Sequence, residues 1–196
     1  MEKIITKEKK TRKERRNKII LGIFLVSIMV LGTAGYAFFS GSGEEIEKEE
    51  YAGIEFVLKE NGLWNFEIQN FQFATTFTPK DTENISTFIF KTANDYYKKP
   101  LFFVGQGIAR QELERNLVNF VSWSQDACLE NYESEECMED APTKTCEDNI
   151  IIIKEAEKIE INEEENCVFI LSPVDEQTRV ADALLFKVLG LKSGMF

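Results

Sequence analysis

The chain of 196 residues contains no histidine. That absence removes the commonest general base, the Ser-His-Asp and Cys-His nucleophile systems, and the commonest metal ligand. Carboxylate chemistry survives it. Cysteine is also sparse, with four residues, and no pair forms the C-x-x-C that redox exchange requires at a helix start. A phosphate loop is missing too. Gly105 and Gly107 in "VGQGIAR" make only G-x-G, with no third glycine and no ribose-binding acid downstream, so they read as a tight strand–helix turn.

Basic residues are unevenly placed. Residues 1–18, "MEKIITKEKKTRKERRNK", hold nine Lys or Arg against three Glu, a local charge of +6. The chain total is −11, which leaves −17 on residues 19–196. Nucleic acid is therefore not an expected partner, because phosphate contacts need clustered cations. Anionic lipid head groups could bind the basic arm, or the arm could act only as a topology signal.

Residues 19–39, "IILGIFLVSIMVLGTAGYAFF", carry no charge. As a helix they would span about 31 Å, close to the hydrocarbon thickness of a bilayer. Twelve of them are Ile, Leu, Phe or Val, and these favour insertion by roughly 4–7 kcal/mol. A basic flank before the run and an acidic one after it predict a cytoplasmic N-terminus and an outward-facing remainder. Cleavage after Ala37 is the alternative, although the apolar run is longer than a secretory core. A pilin-type leader does not fit: the first glycine, Gly22, already lies inside the run and no Glu follows within it.

Residues 40–50, rich in Ser, Gly and Glu, read as a flexible acidic linker. Residues 51–196 then suffice for one domain with its own core. Asn61-Gly62 between two apolar runs predicts a hairpin. Phe71, Phe73 and Phe77 alternate with polar residues and add a third strand, giving a three-stranded meander. "TPKD" at Thr78–Asp81 and "SPVD" at Ser172–Asp175 each place a hydroxyl cap, a proline and an acid at a helix start. Behind the first, Ile85, Phe88, Ile89, Thr92, Ala93 and Tyr96 recur at helical spacing. Behind the second, Ala181, Leu184, Leu185 and Val188 do so, with Gly190 as the stop. "PLFFVGQGIARQELERNLVNFVSW" reads as a strand, a glycine turn and a helix. "NIIIIKEA" and "CVFIL" read as central strands, with an acidic turn or short edge strand between them. The expected class is α+β: a β-meander and a mixed sheet packed by about three helices.

Cys128, Cys137, Cys146 and Cys167 lie 9, 9 and 21 residues apart. Zinc sites favour closer pairs, and a location outside the membrane favours disulfides. Pairing of Cys128 with Cys137 and of Cys146 with Cys167 is the preferred of three connectivities. Glu133, Glu135, Glu136, Glu139 and Asp140 could attract Ca²⁺, but they lack loop spacing and read as a solvated run. Asn84 in "NIS" is a possible glycosylation acceptor. Tyr96 and Tyr97 could mark a contact surface or pack at a helix end. No catalytic residue, cofactor site or metal site is assigned.

"CEDNIIIIKEA", "ENCVFIL" and "VADALLFKVLGL" together resemble the C-terminal part of small single-pass membrane proteins of archaea. The resemblance covers about the last 50 residues and implies an outward-facing domain, with no activity to carry over. The expected function is a membrane-anchored binding, adhesion or envelope-organising module, with a protein or cell-envelope partner outside. A tethered hydrolase using paired carboxylates is the alternative, supported if two close acids line a cleft. A thiol–disulfide exchanger is the third reading.

Overall fold

The computed structural model describes residue 18 and residues 20–29, 47–130, 137 and 140–191. The chain divides into two units, residues 1–45 and 46–196. In the first, Lys18 and residues 20–29 are helical. No helix among the described residues is long and apolar enough to cross a membrane. Ile19 and residues 30–39 of the stretch read as a span, and residues 1–17 of the basic arm, lie outside the described residues.

The second unit is α+β and contains two main sheets. The meander has four antiparallel strands, β1 (Lys48–Tyr51), β2 (Ile54–Leu58), β3 (Trp64–Ile68) and β4 (Phe71–Thr75), in that order. Three strands were expected. The extra one forms inside the stretch read as linker, where Lys48–Tyr51 pairs with Ile54–Val57 around a tight turn. Charged side chains on β1 keep that outer edge from adding further strands.

The second sheet is mixed, in the order β10-β11-β9-β5-β6. It comprises β5 (Pro100–Val104), β6 (Trp123–Asp126), β9 (Ile150–Glu155), β10 (Glu160–Glu164) and β11 (Cys167–Ser172). The runs of continuous apolar sequence, β9 and β11, are parallel neighbours in the interior of the sheet; Ile150–Ile153 of β9 is buried on both faces, while Phe169 and Leu171 of β11 are half-buried on the outer one. Acidic β10 takes the edge, antiparallel to β11. A short parallel pair, β7 (Cys128–Leu129) and β8 (Thr143–Lys144), completes the strands.

Helix α1 (Ala93–Tyr96) is a single turn, α2 (Ile108–Leu117) joins β5 to β6, and α3 (Gln177–Val188) follows β11. Helices α2 and α3 lie between the sheets. Phe186 of α3 meets Phe56 and Phe66 of the meander with ring centroids 6.1 and 5.9 Å apart, and α3 also packs on β11. Nine of its twelve residues are buried, as an apolar helix covered on all sides must be. It ends where Gly190 takes φ +76°, with Gly190 N–H donating to Lys187 O and Leu191 N–H to Phe186 O.

One expected helix is absent. Thr78–Asp81 does form its cap, because the Asp81 carboxylate accepts from the Thr78 N–H and hydroxyl. The chain then continues as successive tight turns, Thr82 N–H to Pro79 O and Ile85 N–H to Thr82 O, and runs extended from Ser86 to Lys91. Helical structure is confined to Ala93–Tyr96, under a second cap made by Thr92 and Asp95. The β-branched residues Ile85, Thr87 and Ile89 favour extended backbone. The open edge of β10 supplies a partner for it: Phe88 bridges to Asn162 and donates its N–H to Ile161 O at 3.0 Å.

The free edge of β4 is closed differently. Asn116 of α2 accepts from Ala74 N–H at 2.9 Å and donates to Ala74 O at 3.0 Å, as a neighbouring strand would. Asn119 donates to Gln72 O, and Arg115 donates to Ala74 O. Past the strand end, Asp182 of α3 accepts from Thr76 N–H and Phe77 N–H at 3.1 and 2.9 Å. Helix side chains thus stand where a fifth strand would pair.

Candidate interaction surface

The mixed sheet has two faces with different covers. Leu101, Phe103, Ile151, Ile153, Val168 and Ile170 point to the helices and the main core. Phe102, Val104, Ile150, Ile152 and Cys167 point the other way and form a second cluster. The cysteine loop covers part of that outer face. Leu129 and Cys146 pack on it, and the Lys144 ammonium sits 4.3 Å over the Phe102 ring.

Two disulfides tie this loop. Cys128 is bonded to Cys137 and Cys146 to Cys167, with Cα separations of 5.3 and 5.0 Å. The second links the loop to the first residue of β11. Cys167 is fully buried and neither pair opens a helix, so no thiol is presented for exchange. Glu133, Glu135, Glu136 and Glu139 lie outside the described residues, and Asp140 is exposed. Among the described residues, no group of three or more acidic or cysteine side chains converges to hold a metal ion.

The rest of the outer face is open. A groove of about 400 Å³ lies over β9, β10 and β11, with Phe169 and Leu171 as its apolar floor and Lys154, Asn162 and Glu164 beside them. Asn162 is in register with Phe169 on one side and bridged to Phe88 on the other, which places Phe88 at the rim. Period-two alternation along the extended segment then sets Phe90 on the same side. Phe88 is 70 % exposed and Phe90 91 % exposed, while Ile89 between them is buried in the main core. Glu163 fixes this geometry, because its Oε2 accepts from Phe90 N–H at 2.6 Å and Lys91 N–H at 3.1 Å. Lys91 in turn donates to Asn166. The surround is electronegative: residues 155–165 contain six Glu and one Lys.

Sequence reasoning missed Phe88 because its spacing fits the expected helical stripe, and Phe90 because it lies off that stripe. The signal that could have found them is the alternation of Ile85, Thr87 and Ile89 with Phe88 and Phe90 beside an acidic edge strand. Asn84 is exposed, within the turns rather than a helix, and its Oδ1 accepts from Arg179 at 3.3 Å. Tyr96 is buried and packs in the core, whereas Tyr97 is exposed. Burial pushes the Tyr96 phenol far above its ordinary value. Gly105 and Gly107 both have positive φ and make the turn into α2.

A close pair of carboxyls does exist. Glu112 of α2 and Asp182 of α3 meet at Thr76, and burial, followed by the Glu112 charge, lifts the Asp182 carboxyl well above the usual carboxylate range. Asp182 is fully buried and Glu112 is 4 % exposed. Arg115 pairs with Glu112, and Thr76 Oγ1 lies 3.4 Å from it. This arrangement closes the β4 edge and does not border the outer groove. Substrate has no access to it, so it lacks the geometry of a glycosidase pair.

No family model matches the chain, and no curated protein or solved structure matches it.

Proposed function

We propose that this protein is a single-pass, membrane-tethered binding module whose domain faces outward. The basic arm remains cytoplasmic, residues 19–39 form the anchor, and the domain presents the open half of its outer sheet face to a partner. The charge step across the apolar run and the two disulfides support the orientation. The resemblance to archaeal single-pass proteins points the same way. The observation that carries the binding reading is the exposure of Phe88 and Phe90, two large apolar rings on a backbone tied to β10 through Ile161 O and Glu163, beside a groove floored by Phe169 and Leu171.

The electronegative surround selects the partner. An anionic bilayer surface is repelled by it, as is a second copy of this acidic domain. A protein with an apolar socket rimmed by Lys or Arg is attracted. The test is a photo-cross-linking residue placed at position 88 or 90 in intact cells, with position 60 in the β2–β3 turn as control. Discrete adducts to a protein from 88 and 90, absent from 60 and weakened by salt, are expected. Adducts equal at all three positions, or none at 88 and 90, would remove the proposal.

A further inference from the structure

A second concavity lies on the meander side of the domain. It occupies about 480 Å³ between the β3–β4 hairpin, α1 and the C-terminal end of α3, within the size range of small-molecule sites. Its floor is Phe71, Phe73, Phe120 and Val188, and its rim carries Gln69, Asn94 and Tyr97. Phe120 meets Phe71 and Phe73 with centroids 6.2 Å apart in each case, so the floor is a fixed aromatic surface.

The residues lining the cleft carry no charge, and the Lys98 ammonium lies 5.0 Å from the ring of the rim residue Tyr97. Lys, Arg, Asp and Glu make up 29 % of the chain, yet none of the twelve residues lining the cleft is charged. The carbonyls of Phe186 and Lys187 at the end of α3 already accept from Leu191 and Gly190, so the helix end does not offer them to a ligand. Gln69 and Asn94 make no side-chain hydrogen bond to another described residue. An ionic group placed on the aromatic floor would lose its hydration with no counter-charge among the lining residues, and only an anion at the rim would meet the Lys98 ammonium. An uncharged group with a donor or acceptor would meet the exposed side-chain amides of Gln69 and Asn94 instead.

We propose that this cleft binds a small uncharged amphiphile. Its aliphatic or aromatic body lies on Phe71, Phe73 and Phe120, and its hydroxyl, amide or carbonyl end reaches Gln69, Asn94 and Tyr97. The inference is independent of the Phe88–Phe90 face.

The test uses the full chain in lipid nanodiscs, with empty discs as blank. N-phenyl-1-naphthylamine serves as the neutral fluorescent probe, and 1-decanol, decanoate and decylamine compete for it. One saturable site is expected, with decanol displacing the probe at least about tenfold more effectively than either ion. Ala93→Phe, which fills the cleft from α1, should abolish binding while the melting temperature is kept. Asn94→Ala should weaken decanol about three- to tenfold and leave the hydrocarbon probe unaffected. Absence of a saturable site, equal displacement by the three competitors, or binding that survives Ala93→Phe overturns the proposal. So does a gain of affinity in a chain ending at Leu191, because residues 192–196 would then be the native occupant.

Discussion

Asp182 gathers two backbone N–H donors of the meander and the carboxyl of Glu112 at one buried point. Its Oδ1 has no donor among the described residues, and burial beside the Glu112 charge favours the protonated form of Asp182. The native state therefore holds a proton that the unfolded chain releases above the ordinary Asp value near ~3.9. The folded state binds more protons, so stability falls as pH rises from that value towards the raised folded one, by at most about 1.4 kcal/mol per pH unit for one proton. Urea unfolding between acid and neutral pH should show this slope. Asp182→Asn keeps an acceptor for Thr76 and Phe77 and offers an amide donor to Glu112, so it should flatten the slope. Asp182→Ala orphans both N–H groups and should cost about 2–4 kcal/mol. A slope unchanged in Asp182→Asn would show that another group titrates. Asn116 makes a companion case: Asn116→Ala leaves Ala74 N–H unpaired and should lower stability by about 1–3 kcal/mol, read by the same unfolding curves.

Among the elements, the extended segment Ser86–Lys91 and the cysteine loop decide what the outer sheet face presents. The disulfide Cys146–Cys167 closes a sequence separation of 21 residues, for which chain entropy predicts about 3 kcal/mol of stabilisation. Replacing both residues by Ser should lower the unfolding free energy by that order and loosen the loop over Phe102 and Ile150, seen as faster amide exchange in β9. Unchanged exchange would mean that packing alone holds the loop. The helix that was expected here shows how local signals are overruled. The cap at Thr78–Asp81 is real, but a cap worth about 1 kcal/mol cannot propagate a helix against β-branched residues and an unpaired strand edge. At Ser172–Asp175 the expected hydroxyl cap does not form, since Ser172 Oγ has no partner among the described residues, yet a helix follows at Gln177–Val188 because Val180, Ala181, Leu184 and Leu185 have two sheets to pack between.

For the whole molecule, the proposed topology places the acidic domain outside and the basic arm inside. Protease added to intact cells should remove the domain while an N-terminal tag stays protected, and a fully protected domain would overturn the orientation. Phe88→Ser with Phe90→Ser should shift stability by no more than about 0.5 kcal/mol, because both rings are exposed. The same double change should abolish partner adducts at a cross-linker placed on the groove side of β10. Loss of adducts with an unchanged melting curve separates recognition from folding.

Much of the domain is determined locally. Continuous apolar runs made β9 and β11 interior strands, alternation made Trp64–Ile68 and Phe71–Thr75 half-buried strands, and the stripe Ala109, Leu113 and Leu117 made α2, because each pattern matches the period of one backbone geometry. The absence of histidine likewise narrowed the chemistry before any fold was known. Other features depend on what lies across the fold. Whether Phe88 and Phe90 join a helix face or stand out from a strand depends on the unpaired edge of β10, more than seventy residues away in sequence. Whether Glu112 and Asp182 are a catalytic pair or an edge closure depends on the depth at which α2 and α3 meet β4. Burial, edges and clefts arise from pairings distant along the chain, and a local period carries no information about them.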